Sequence, residues 1–236
     1  MRPENDVTNT EILEDLARHG IEAALCTHAH CAEYDPVHGN KLLTSLELLS
    51  APVRVERCFT VMPGHTGEIP RGRGLAEYLA TGRAAAVRVL PSAHGYSLSD
   101  LCARELLETV EAARLPLLVE LADTSWAEID GVLEAHPALR TIVLRVAYRE
   151  DRRLYALLEK HANLFVETSV YVGHRAIERV VQAFGARRLI FGTGAPLFAP
   201  GGAVAPIVYA EISDEDKAAI AGGNLRELTR GREALV

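Results

Sequence analysis

The feature that most constrains the fold is the regular alternation of short apolar runs with helical segments. Strand and helix recur at intervals of roughly 25 to 30 residues, the period of βα units in a parallel sheet or a (β/α)8 barrel. Several runs are almost continuously apolar, as expected of parallel strands that are covered on both faces. The predicted strands are IEAALCTH (21–28), RVERCFTV (54–61), AAAVRVL (84–90), PLLVEL (116–121), TIVLRV (141–146), NLFVETS (163–169) and RLIFG (188–192).

Helix starts are marked by a Ser or Thr followed three residues later by an acidic residue, the pattern that satisfies free backbone N–H groups. The predicted pairs are Thr8 with Glu11, Ser97 with Asp100, Ser125 with Glu128 and Ser213 with Asp216. We expect the first helix to run to about Arg18 and the last two, from Ser213 and Asn224, to pack outside the barrel. The chain lacks a linker-like or low-complexity stretch, so we expect one domain over 1–236.

Composition narrows the classes of partner. The 236 residues are 48% hydrophobic and carry a net charge of -7, which disfavours nucleic acid and anionic membranes and leaves small molecules or proteins as partners. The polar N-terminus does not resemble a signal peptide, and no apolar run approaches a membrane span. Four cysteines without CxxC spacing predict buried free thiols in a reducing compartment. We therefore expect a cytoplasmic protein.

Seven strands are one fewer than a closed barrel requires, and a helix precedes the first of them. The residues ahead of Thr8 are too few and too polar for a buried strand. A seam beside IEAALCTH would expose backbone donors and acceptors, and such an edge favours pairing with another chain. The sequence thus predicts an open seam or a homodimer that closes it.

Four segments resemble the amidohydrolase superfamily, in particular its amidohydrolase-related branch of metal-dependent barrels. They are GIEAALCTHAHCAEYDPVHGNKLL, the strand ending FVETS, FGARRLIFGTGAPLF and ISDEDKAAIAGGNLREL. The resemblance covers essentially the whole chain and implies a (β/α)8 TIM barrel without its first strand. It also implies hydrolysis, or in some members decarboxylation, by a divalent metal. In the family an HxH on the first strand, histidines on the fifth and sixth, and an Asp after the eighth hold that metal.

The sequence departs from this ligand pattern at each position that can be matched. The turn after the last strand reads Gly-Thr-Gly, so Gly194 stands where the family has Asp. The two strand histidines fall on Glu120 and Arg145, and the HxH strand would lie upstream of this chain. We therefore predict no metal cofactor between these strands, because one carboxylate beside a guanidinium is too small a ligand set.

Glu120 and Arg145 would project from neighbouring strands into the barrel mouth, where a guanidinium can bond both carboxylate oxygens. We predict that they pair, and they are the candidate catalytic residues. One interpretation is that the pair only fills the volume left by the metal. The other is that Arg145 binds an anionic ligand group. Arg88 either contributes to the same pocket or caps a strand end.

His28 and His30 form an HAH motif, in which two imidazoles on an extended segment can share a Zn or Mn ion. The resemblance places this motif on the second strand, so the alternative is a pair of loop histidines at the pocket rim. His28, His94 and Ser169 are further candidates for substrate binding. No base for Ser169 can be identified from the sequence.

Three functions remain open. The first is a hydrolase, or a related decarboxylase, that acts on a small molecule, such as an anionic one, with a rearranged or metal-free site. The second is a catalytically inactive binding or regulatory barrel. The third is an incomplete product or a subunit finished by a partner chain, and the fold alone does not choose among them.

Overall fold

The computed structural model describes residues 8–45 and 52–230, and its centre is a parallel sheet of seven strands in sequence order. The strands are β1 (Ala23–Cys26), β2 (Arg54–Thr60), β3 (Ala84–Val89), β4 (Leu117–Glu120), β5 (Thr141–Leu144), β6 (Leu164–Glu167) and β7 (Leu189–Ile190). All seven predicted strands are present and all their pairings are parallel. The sheet is a TIM-barrel-like half-barrel, which confirms the predicted fold class.

Helices follow the strands, and most of them cover the outside of the sheet. They are α1 (Asn9–Arg18), α2 (His30–Glu33), α3 (Pro36–Ser45), α4 (Gly72–Thr81), α5 (Leu101–Ala112), α6 (Trp126–Ala135), α7 (Asp151–Lys160), α8 (Ala176–Phe184), α9 (Pro200–Val208), α10 (Asp214–Ala218) and α11 (Asn224–Thr229). Within the described part of the chain, no helix is both long enough and apolar enough to cross a bilayer.

Two of the predicted capping boxes are complete. The Thr8 hydroxyl accepts the Glu11 N–H and the Glu11 carboxylate accepts the Thr8 N–H, which starts α1. Ser125 and Glu128 make the same reciprocal bonds at α6. Each box satisfies backbone donors that a helix start leaves without a partner.

Of the two other predicted helix starts, the one at Ser213 is confirmed and the one at Ser97 is not. The Ser213 hydroxyl accepts the Asp216 N–H at the start of α10. The prediction that Ser97 caps α5 is wrong, because the residue that precedes this helix is Asp100. The Ser97 N–H donates to Asp100 Oδ2 at 2.7 Å, so the pair forms a turn ahead of the helix.

Side chains alternate across the strands and divide the core into two layers. Outward-facing residues such as Val87, Val119 and Val143 belong to the large core between sheet and helices. Inward-facing residues form a smaller apolar group that we call the inner layer. It consists of Cys58, Ala86, Leu118, Ile142 and Ile190, with Leu25, Leu144 and Phe165 packed against it.

Helix α11 packs against the inner layer, through Leu225 and Leu228. The prediction that this helix lies outside the barrel is therefore wrong. The reason is the buried Asn224, whose side-chain amide donates to the carbonyl oxygens of Ala186 and Leu189 at 2.9 and 2.8 Å. These bonds hold the helix start at the amino end of β7, from where the helix reaches the inner face.

β1 and β7 are the two edge strands of the sheet, and no strand within residues 8–45 and 52–230 pairs with both of them. We call the gap between these two strands the seam. Every residue of β1 is half-buried, whereas the strands from β3 to β7 are mostly buried. After β7 the chain turns toward β1, and Ala195 packs against the apolar cluster of Leu13, Leu16 and Val53, which Ala24 of β1 also joins. The loop therefore covers one side of the seam without adding a strand.

All four cysteines are free, as predicted. Cys31 and Cys58 are buried, while Cys26 and Cys102 are half-buried. Burial raises the pKa of Cys26 to about 11 and that of Cys58 to about 12, so both stay protonated thiols.

Candidate functional site

Charged side chains lie next to the inner layer on its carboxyl-end side, two residues farther along the strands. Because side chains two residues apart share a face, Arg88 follows Ala86, and Glu120 follows Leu118 on the inside of the sheet. With Arg145, Glu167 and Ser169 they form what we call the mouth group. Parallel strands end together here, the usual place for sites in such barrels.

Glu120 is held between two guanidinium groups. Its Oε1 accepts from Arg145 Nη1 at 3.0 Å, and its Oε2 accepts from Arg88 Nη2 at 3.0 Å. The predicted contact between Glu120 and Arg145 is thus present, and Arg88 joins it. Side chains of Glu120 and Arg88 are 13% and 16% exposed, whereas Arg145 is 32% exposed. The exposed guanidinium can therefore meet a ligand.

The backbone at Arg145 explains how its side chain reaches the mouth. Leu144 faces inward, so regular alternation would turn the next residue outward. Arg145 instead has a φ of 55°, a left-handed conformation that ends the strand. Both Leu144 and Arg145 consequently line the interior cavity. Such backbone conformations are uncommon for residues with side chains and concentrate at functional sites.

Glu167 is the residue that sequence analysis missed. Its Oε1 accepts the Ser169 N–H at 2.7 Å, and its Oε2 accepts the Ser169 hydroxyl at 2.8 Å and the Arg145 N–H at 3.3 Å. Burial raises the pKa of Glu167, although these hydrogen bonds and the charge of Arg145 oppose the rise. A base does stand beside Ser169, and the Glu-Thr-Ser spacing on one strand was the available signal.

Gly192 makes room for Glu167. A Cβ on Gly192 would overlap the Glu167 carboxyl group, so any larger residue at this position would displace it. Gly192, two residues after β7, therefore leaves room for the buried Glu167 carboxyl group in the mouth group.

Gly194 has a backbone conformation and surroundings that leave no room for a ligand side chain. Its φ is 64°, and an added Cβ would lie 2.6 Å from Phe198 Cδ2 and 3.4 Å from Ser169 Cβ. The Phe198 ring occupies the space into which an Asp would extend.

The mouth group opens into a cavity of about 610 Å³ inside the half-barrel. Arg88, Arg145, Glu167 and Ser169 line it, whereas Glu120 lies behind the two arginines and does not. The remaining wall is largely apolar. It includes Leu25, Leu118, Ile142, Leu144 and Ile190 from the sheet and Val204 and Ile207 from α9. This volume is typical of small-molecule pockets.

The three candidate histidines lie outside this cavity. His94 Nε2 is 3.0 Å from the Cys31 carbonyl oxygen. His28 Nδ1 accepts the His30 N–H at 3.2 Å, and their ring centroids are 4.8 Å apart. Burial lowers the pKa of His28, and the neighbouring His30 and His38 lower it further. The structure does not bring these imidazoles into the mouth group.

Asp123 follows β4 and lies on the same side of the arginines as Glu120. Burial and the charge of Glu120 raise the pKa of Asp123, while Arg88 and His94 lower it. A second carboxyl group thus lies in the electrostatic field of Arg88, behind the cavity wall.

The family model described as Amidohydrolase matches residues 12–229 of the chain. The chain belongs to the amidohydrolase family. No protein of the curated set matches it by sequence.

Solved structures of low sequence identity share the amidohydrolase barrel. An uncharacterised TIM-barrel protein from Bordetella bronchiseptica has a TM-score of 0.78 and 16% identity, over 96% of this chain and 84% of that one. The 5-carboxyvanillate decarboxylase of Sphingomonas paucimobilis has a TM-score of 0.72 and 17% identity, over 95% and 83%. A dihydroxybenzoic acid decarboxylase from Polaromonas, solved with manganese and 2-nitroresorcinol, has a TM-score of 0.69 and 15% identity, over 95% and 86%.

The residues of the mouth group do not fit the divalent metal that the family implies. Both oxygens of Glu120 already accept from guanidinium groups, Arg145 is itself a cation, and Gly194 offers no donor. In the described residues, no group of three or more His, Cys, Asp or Glu side chains is placed to hold a metal ion. A catalytic metal normally needs about three protein ligands.

Proposed function

We propose that this amidohydrolase-family barrel binds a small carboxylate in the mouth, with Arg145 as the principal contact and Arg88 as its support. The observation that carries the proposal is the position of Arg145 at the cavity, where its side chain is 32% exposed and only its Nη1 is bonded to Glu120. Arg145 lines the cavity and offers its remaining N–H donors in a fork that matches a carboxylate.

Two further observations support an acid as ligand. Burial raises the pKa of Glu167, because desolvation disfavours the charged form of this cavity-lining carboxyl group. Two structural neighbours are named for the decarboxylation of aromatic acids, and their substrates carry the group that a guanidinium pair recognises. In this proposal Glu120 positions the arginines and does not touch the ligand.

Calorimetry with acetate, benzoate and inorganic phosphate tests the proposal on the wild type and on Arg145→Ala. Charge-assisted hydrogen bonds contribute about 1.5–3 kcal/mol, so we expect about tenfold to hundredfold weaker carboxylate binding by the variant. Arg149→Ala removes an exposed arginine a short distance along the chain and serves as the matched control. Equal binding by wild type and Arg145→Ala would remove Arg145 from the site.

A second candidate function is metal-independent hydrolysis, and Ser169 beside Glu167 favours it. Glu167 would take the proton of the Ser169 hydroxyl, 2.8 Å away, as that oxygen attacks a carbonyl carbon, and would return it to the leaving group. Water would then hydrolyse the acyl-serine. Hydrolysis of nitrophenyl esters that is lost in both Ser169→Ala and Glu167→Gln would support this function, and activity retained by Ser169→Ala would exclude it.

His28 and His30 remain the alternative ligands for Zn or Mn. They supply two imidazoles, His28 Nδ1 already accepts a backbone hydrogen bond, and neither residue lines the cavity. Elemental analysis of purified wild type and of a His28→Ala, His30→Ala variant tests this alternative. Stoichiometric metal that is lost in the variant would support it.

A further inference from the structure

The interior of the half-barrel is apolar below the mouth group, and this contrast points to a more specific ligand. Five inward-facing side chains line the cavity below the arginines: Leu25, Cys58, Leu118, Ile142 and Ile190. A ligand that carried only a carboxylate would leave this apolar surface in contact with water.

We infer that the ligand is a carboxylic acid with an unbranched apolar tail, whose head binds Arg145 and whose tail lies against the inner layer. This inference rests on the proposed function, since the guanidinium pair fixes the head. Glu167 and Ser169 add polar contacts at the same end of the cavity, so the tail has to point away from them.

The far end of the cavity limits the tail. Glu56 and Arg54 line it there and form an ion pair at 3.2 Å. On β2 the residue level with Arg88 is Thr60, four positions beyond Glu56. At about 3.3 Å per residue the apolar stretch is about 13 Å long. With C–C bonds of about 1.5 Å, it holds an extended chain of roughly eight to ten carbons.

The seam provides the way in. On its β1 side, Ala23 lines the cavity, is half-buried, and lies on the same face of the strand as Leu25. Across the seam, Val204 and Ile207 of α9 border the same space. An apolar tail can therefore pass between β1 and α9. Its methylene groups would contact apolar side chains and not the polar backbone groups of the edge strands.

Calorimetry with acetate, butanoate, hexanoate, octanoate, decanoate and dodecanoate, below micelle-forming concentrations, tests the inference on the full chain. Each methylene that becomes buried should strengthen binding by about fourfold. We expect this gain to end at roughly eight to ten carbons, where the charged pair closes the apolar stretch. Affinity independent of chain length would overturn the inference, as would tighter binding of octanedioate than of octanoate.

Substitution of Ala23 tests tail binding separately from binding of the carboxylate head. Ala23 pairs with Arg54 at the far end of the apolar stretch, so Ala23→Phe meets only the end of a long tail. Decanoate should therefore bind at least about tenfold more weakly, while butanoate changes by less than about twofold. Ala156→Phe places the same ring on the exposed face of α7 and is the matched control. Leu25→Phe is the second variant if Ala23→Phe does not fold, as judged by its thermal transition.

The outcomes distinguish the inference from the proposed function. Acetate and butanoate binding that requires Arg145, without any gain for longer acids, would leave the proposed function intact and reject the tail. Failure of every acid to bind the wild type would reject both. An unchanged decanoate affinity in a folded Ala23→Phe would also contradict the tail position.

Discussion

Glu120 Oε1 and Arg145 Nη1 lie 3.0 Å apart, at the carboxyl ends of the neighbouring strands β4 and β5. The second oxygen of Glu120 is bonded to Arg88. An ion pair of this kind costs desolvation on both sides, so its retention is explained either by packing or by a ligand.

Removal of Glu120 should destabilise the protein strongly. Glu120→Ala leaves two guanidinium groups close together without their shared carboxylate, and uncompensated buried charge costs about 3–5 kcal/mol. Urea unfolding measures the change in the free energy of unfolding. Glu77→Ala in the exposed pair with Arg73 is the matched control and should change it by less than about 1 kcal/mol. Equal small effects at both positions would show that the mouth pair is energetically unimportant.

Gly192→Ala should destabilise through a steric conflict with Glu167. The added methyl group would overlap the buried carboxyl group, and overpacking of this kind typically costs about 1–3 kcal/mol. Gly131→Ala in α6 meets no atom within 4 Å and should be neutral or slightly stabilising. In the double variant Gly192→Ala, Glu167→Ala, much of the loss should be recovered. No recovery would place the conflict elsewhere.

Glu167 should make stability depend on pH. Its pKa in the folded protein is raised, so the native state holds a proton that the unfolded chain releases above about pH 4.5. The free energy of unfolding contributed by this group therefore falls as pH rises from 4.5 through the raised pKa. Comparison of wild type with Glu167→Gln isolates the effect from other carboxylates. The difference between the two proteins should change over this interval, and a constant difference would contradict the raised pKa.

Sequence analysis predicted the strands well because their apolar runs are continuous and their spacing is regular. It also predicted the contact between Glu120 and Arg145, since both residues end strands that are neighbours in a parallel sheet. The left-handed backbone at Arg145 was not predictable, because it depends on the tertiary bond from its N–H to Glu167. Helix α11 was predicted on the outside of the barrel because an amphipathic pattern does not indicate which apolar surface the helix covers.

Glu167 shows why the site was only partly predicted. Its spacing from Ser169 indicates a shared face, yet a lone carboxylate on a strand is equally typical of a solvent-exposed residue. Its burial depends on Gly192, a residue that is distant in sequence and becomes a neighbour only in the folded sheet.

The exposed apolar side chains after β7 carry the prediction of a homodimer, whose interface would lie on this segment and leave the gap between β1 and α9 open to the ligand. Leu197, Phe198 and Val208 are 53%, 44% and 53% exposed on the segment that borders the seam. Sedimentation equilibrium should give a dimer, and Leu197→Asp with Val208→Asp should shift it toward monomer by burying charge at the interface. A wild type that stays monomeric at all accessible concentrations would contradict this prediction.

The most direct test of the carboxylate site compares benzoate with its neutral isostere benzamide on wild type and Arg145→Ala by calorimetry. The two ligands share shape and apolar area, so their ratio of affinities reports the charge at the mouth. We predict that wild type prefers benzoate by about tenfold or more and that Arg145→Ala loses most of this preference. Equal affinities of wild type for benzoate and benzamide, or the same preference in both proteins, would contradict the account.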